Sequence, residues 1–139
     1  MSSLTPALRE QITSYPAWYH EIDFGEGCIS RPKHPHRDIW QAITEFISPV
    51  DFAGRTVLDI GCWDGQWSFF AERKGAADVL ATDDNSQHWT GTPTGIGTHE
   101  SGEPGEGFRL GHRAVGSRVR YCGDVSIYQL ERLERRFDI

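Results

Sequence analysis

The chain has 139 residues, 37% of them hydrophobic, with a net charge of −6 and a pI near 5.4. That length allows one domain at most, and the acidic balance argues against a basic, nucleic-acid-binding surface over the whole protein. There is no apolar run of about eighteen residues, so no membrane span is expected.

Cys28, Cys62 and Cys122 are unpatterned, which predicts a reducing, cytoplasmic setting with neither a disulfide framework nor a zinc motif. Met1–Pro6 lacks a basic and apolar signal segment. Twelve of the fourteen basic residues are Arg, seven of them between Arg109 and Arg136. That clustering reads first as a solvated surface, with a local basic face as the alternative.

Thr5-Pro6 is a capping hydroxyl followed by proline, so a short amphipathic helix is expected over 6–14, ended by Tyr15-Pro16. Residues 17–35 mix aromatics, glycines and prolines and read as an ordered connector. His34-Pro35-His36 lacks a third ligand at metal spacing and reads as loop, so no metal is expected. Asp38-x-x-Gln41 resembles a capping box. Ile39, Ile43, Phe46 and Ile47 then recur at helical spacing, predicting a core-facing stripe on a helix over 37–48, with Trp40 also in the core. Residues 1–50 thus form a helical extension ahead of a nucleotide-type unit over 51–139.

That unit begins with a strand at 56–60, a glycine turn, a helix over about 65–74 and a second strand at 78–82 that ends in Asp83. Strand, glycine turn, helix, strand and acid make the nucleotide half of an open α/β sheet. Gly61 and Gly65 permit a sharp turn and the approach of a ligand. The helix after Gly65 directs unpaired N–H groups at the loop. Asp83 follows its strand directly and is placed to accept the hydroxyls of a ribose; Asp84 caps the next turn. Glycines at 61 and 65 do not match the dinucleotide spacing, and Trp63 fills the middle of the turn. Asp59 and Asp64 flank it with negative charge, which repels phosphate and suits a cationic ligand. A nicotinamide-dependent oxidoreductase is disfavoured on the same grounds.

Residues 85–107 read as a glycine-rich loop, with Trp89 a candidate to stack near an adenosine. A helix is expected over 108–115, stopped by Gly116, then a strand at 118–122. Tyr128, Leu130 and Leu133 suggest a short helix on the sheet, and Phe137-Asp138-Ile139 the start of a fourth strand.

Gly54-Arg55-Thr56-Val57-Leu58 followed by Asp59-Ile60-Gly61-Cys62-Trp63-Asp64-Gly65 resembles motif I of class I S-adenosylmethionine-dependent methyltransferases. The resemblance is nearest the branch of the tRNA wobble-uridine 5-oxyacetate methyltransferases, where a Trp often replaces the middle glycine. The runs Trp18–Gly27, Gly107–Leu110 and Gly116–Val119 are similar to that branch as well. The resemblance implies a Rossmann-like fold with S-adenosylmethionine as cofactor. It places Asp59 and Gly61 at the methionine end, with Trp63 and Gly65 shaping the loop. Asp83 would sit on the ribose, and Asp124 with Val125 on the adenine. It implies a connector that covers the pocket mouth, which brings Tyr19 and His20 toward the site, with packing on the domain surface as the alternative.

The family's catalytic positions follow the fourth strand, so the sequence is expected to be the cofactor-binding half alone. A missing C-terminal half or a second chain would complete the sheet. The acceptor is a tRNA wobble uridine or a small molecule. One enzyme of the branch transfers a carboxymethyl group from a carboxylated cofactor; no cation is assigned here to that extra carboxylate, so plain methyl transfer is preferred. A non-catalytic cofactor-binding or interaction fragment is the alternative reading.

Overall fold

The computed structural model describes residues 4–85 and 103–139. Its architecture is α/β: α1 (Pro6–Ser14), α2 (Arg37–Ile47), β1 (Thr56–Ile60), α3 (Gln66–Arg73), β2 (Asp78–Thr82), α4 (Glu106–Val115) and β3 (Arg120–Cys122), then a 3₁₀ segment, Ile127–Leu133. The strands form one parallel sheet in the order β1-β2-β3. β1 pairs with β2 from Thr56–Asp78 to Ile60–Thr82, and β2 with β3 from Leu80–Arg120 to Thr82–Cys122. Parallel neighbours need crossover connections, and α3 supplies the first of these.

Two apolar clusters hold the layers together. Phe52, Val57, Phe69, Val79, Ala81, Phe108 and Val119 are buried around the sheet. Ile12, Trp18, Ile22, Phe24, Leu110 and Ala114 join α1 and the connector to α4. Phe108 enters one cluster while Leu110 and Ala114, on the next face of the same helix, enter the other. α4 therefore binds the N-terminal segment to the sheet.

α1 forms as the sequence predicts: Leu8 N–H donates to Thr5 Oγ1 at 3.2 Å and Pro6 opens the helix. α2 departs from expectation twice. His36, not Asp38, holds the cap position and makes no side-chain cap bond; Asp38 lies in the first turn, and Gln41 Nε2 donates to Glu45 Oε1 at 2.9 Å. Of the expected stripe only Ile43 and Ile47 turn inward; Ile39 is 57% exposed and Phe46 83% exposed. Trp40 takes the inward position because its ring reaches His20, Tyr19 and His36. That choice puts Trp40, Ile43, Thr44 and Ile47 on the packed face and turns Ile39 and Phe46 out, one residue around the helix.

β3 is shorter than the predicted 118–122. Arg118 N–H donates to Glu72 Oε1 at 2.7 Å and Val119 N–H to Ser117 Oγ at 3.0 Å, so side chains hold the amides that would lengthen the strand. α4 starts two residues before the predicted Phe108 and ends at Gly116 in the left-handed conformation, as expected. The 3₁₀ segment buries no residue, and Tyr128 is 89% exposed, so it does not form the predicted helix on the sheet.

Phe137–Ile139 runs beside β1 where a fourth strand is expected. Asp138 and Ile139 N–H donate to Thr56 O at 2.9 and 3.1 Å, and Leu58 N–H donates to Ile139 O at 2.9 Å. This is the pattern of a parallel pair opposite Val57. Several of the C-terminal arginines are paired: Arg120 and Arg135 meet Asp78 at 2.6 and 2.9 Å, and Arg132 lies 3.7 Å from Asp124. Among the described residues, no helix is long and apolar enough to cross a membrane.

Candidate functional site

β1 ends in a loop that takes three residues into the left-handed region: Gly61 at φ 69°, Trp63 at 49° and Gly65 at 84°. For a bulky residue such as Trp63 this conformation is strained. Contacts among the described residues help hold it: Trp63 N–H donates to Asp83 Oδ2 at 3.0 Å, and the ring lies 4.7 Å from that of Tyr19, tilted 31°. Cys62 N–H donates to Thr82 O at 2.9 Å, extending the β1–β2 ladder into the loop.

The two glycines do different work. A Cβ at Gly61 would meet nothing within 4 Å among the described residues, so this side of the turn is uncrowded there. A Cβ at Gly65 would lie 2.7 Å from the Phe108 ring. At Gly65 the absent side chain makes room for α4.

Asp59 accepts a hydrogen bond from Ser68 Oγ at 2.6 Å, tying the end of β1 to α3. Burial raises its pKa, and the nearby charge of Asp83 adds to the effect. Asp64 does not flank an open turn as predicted. It is 2% exposed, and its Oδ2 accepts Tyr19 N–H at 2.7 Å and His20 N–H at 2.8 Å. Its charge thus serves the connector rather than a ligand. Burial pushes its pKa up to about 7. His20 is also buried, which lowers its pKa to about 4; its Nδ1 lies 3.8 Å from Asp64 Oδ2 without a hydrogen-bond partner. The pair is a carboxyl beside a neutral ring. A Cβ at Gly107 would collide with Asp64 Oδ1, so α4 can approach this carboxylate only through glycine. The sequence signals for the clamp were Asp64 in the glycine loop and the Trp18-Tyr19-His20 run, but nothing in their spacing joined them.

The ends of β2 and β3 are fastened together. Asp83 N–H donates to Cys122 O at 2.9 Å, Asn85 N–H to Gly123 O at 2.9 Å and Val125 N–H to Asp83 O at 3.2 Å. Asp84 forms an isolated bridge with Asp124 rather than a simple cap. These bonds bring Asp83 and Asp124 to the same carboxyl-end rim of the sheet as the Gly61 turn. Asp83 Oδ1 also accepts Asp84 N–H at 2.8 Å. Asp124 is exposed, and its pKa is lowered by the Cys122 thiol that donates to it and by Arg132. Val125 is buried, so its side chain packs within the fold. Burial and the carboxylates of Asp59, Asp83 and Asp64 raise the Cys62 thiol far above its usual range, leaving it protonated.

Tyr19 and His20 lie beside the loop, as the resemblance implied. Trp89 and the rest of 86–102 fall outside the described residues. Among the described residues, no group of three or more His, Cys, Asp or Glu is placed to hold a metal ion. No known protein-family model matches this chain, and no curated protein sequence matches it.

Proposed function

We propose that the chain is the cofactor-binding part of a cytoplasmic, Rossmann-like S-adenosylmethionine-dependent methyltransferase. The observation that carries this reading is the meeting of three features on one rim of a parallel sheet: the uncrowded Gly61 turn after β1, Asp83 after β2 and Asp124 after β3. Crevices at the carboxyl ends of parallel strands are where open α/β sheets take their ligands.

In this reading Gly61 and Asp59 receive the methionine end, and Trp63 and Gly65 shape the loop around it. Asp83 uses lone pairs beyond those taken by Trp63 and Asp84 N–H to accept the ribose hydroxyls. Asp124 and the Val125 backbone border the adenine. The cofactor supplies a methyl group on a sulfonium, transferable to a nucleophile held in line; the chain contributes positioning and electrostatics. The acceptor is a tRNA wobble uridine or a small molecule, held by a C-terminal half or a second chain. That partner would continue the sheet beyond Phe137–Ile139, which already runs beside β1.

Calorimetric titration with S-adenosylmethionine and S-adenosylhomocysteine tests the proposal. Micromolar binding is expected, and Asp83→Ala should weaken it about 10- to 100-fold, about 1.4 kcal/mol per tenfold. A folded chain that binds neither compound, or a folded variant with unchanged affinity, sinks the assignment of the site.

A further inference from the structure

Away from the loop rim, residues of α4 and β3 line an open groove of about 570 Å³. The volume is in the range of small-molecule sites. Its floor is aromatic: Tyr121 lines it, with its other side stacked on the buried Phe108 ring at 4.4 Å and 19° between the planes, and His112 lies 5.8 Å from Phe108. Its rim carries two cations, Arg109 and Arg113, and one carboxylate, Glu106. Arg109 and Arg113 stand one helical turn apart on α4, so their side chains line the same face.

The polar groups of the groove are already oriented. Arg109 donates to Pro104 O at 2.9 Å and approaches Glu106 at 3.6 Å. Arg113 donates to Gln11 Oε1 at 3.3 Å, and among the described residues no carboxylate lies within ion-pair distance of it. His112 Nε2 lies 3.0 Å from Val119 O; a carbonyl only accepts, so Nε2 carries the proton. The groove also begins at the first turn of α4, where the helix dipole favours negative charge.

We propose that this groove is a second binding site, for a flat aromatic anion: a ring against Tyr121, with a carboxylate or phosphate at Arg109 and Arg113. Flat rings gain most from a stacked aromatic floor, and guanidinium groups pair with carboxylate and phosphate in fixed geometry. The site is joined to the loop by two contacts. Phe108 fills the space beside Gly65, and Tyr121 Oη accepts a bond from Asn85 Nδ2 at 2.6 Å, two residues beyond Asp83. A ligand that shifts either ring is therefore felt at the Gly65 turn.

The test is a titration of the ¹⁵N-labelled chain with 2-naphthoate, 1-naphthyl phosphate and neutral 2-naphthylmethanol, followed by amide chemical shifts. Saturable shifts at Arg109, His112, Val119 and Tyr121 are expected, with Gly65 moving in parallel. Affinity should fall about tenfold for the neutral probe and about tenfold in Arg113→Gln; Arg109→Gln serves as a second surface variant. Naphthoate against naphthyl phosphate shows which anion the two arginines prefer. Absence of saturable shifts up to millimolar probe, or equal affinity for the neutral probe, overturns the proposal. Shifts of the same amides on protein dilution without probe also overturn it, because they would make the groove a contact between copies of the chain. None of these readings depends on S-adenosylmethionine.

Discussion

Asp64 concentrates two backbone hydrogen bonds on one buried carboxylate oxygen, and its ionisation opposes its burial. Its pKa in the fold is raised above the unfolded value, to about 7. The stability linked to it is therefore full below the unfolded value, near 4, and is lost as pH rises through about 7. His20 runs the other way. Its pKa falls to about 4, so its contribution is present above 6.5 and is lost as pH drops toward 4. Between pH 4 and 6.5 the two effects oppose each other; above that, the cost of charging Asp64 acts alone. Asp64→Asn keeps an acceptor for Tyr19 and His20 but cannot ionise. Relative to the parent, it should be more favourable at pH 8 than at pH 5, by about 1 kcal/mol or more in urea denaturation. An identical difference at both pH values would remove Asp64 as the titrating group.

At the scale of elements, α3 and α4 meet through glycine. Gly65→Ala places a methyl against Phe108 at φ 84° and should cost roughly 2–4 kcal/mol. Gly61→Ala has open space and bears only the backbone strain of φ 69°, about 1 kcal/mol. Equal losses at the two positions, measured by denaturation, would contradict this division. Phe46 is 83% exposed on α2, so Phe46→Gln should change stability by less than about 0.5 kcal/mol. The same contrast shows what the residues reveal before folding. β1, α3 and β2 were legible because each is a short periodic run bounded by glycine or acid, and α1 because Thr5-Pro6 marks its start. The facing of α2 was not legible. Ile39 and Phe46 share helical spacing with Ile43 and Ile47, and only the rings gathered around Trp40 decide which side packs. The length of β3 depended on Glu72 and Ser117 taking amides, which no local pattern announces. The place of Asp83 at the end of β2 was legible from the strand before it. Asp64 was read as charge facing a ligand because the partners that bury it lie in the connector, far off in sequence.

Over the whole molecule, the connector and the glycine loop are one unit made from distant parts. Asp64 binds amides 45 and 44 positions away, and Trp63 binds Asp83 twenty positions on. Such contacts form only after long stretches of chain are brought together, at a cost in closure entropy that neighbouring contacts avoid. Hydrogen exchange makes this visible. The Gly65 amide, bonded to Cys62 O at 2.8 Å, is protected only while the turn is intact. The Tyr19 and His20 amides have no helix or strand to shield them and rely on the same turn through Asp64. All three should therefore exchange with a common opening free energy, distinct from that of the α1 amides. An isotope label on two residues of an irregular segment would then report, from outside, each time the turn between β1 and α3 comes apart.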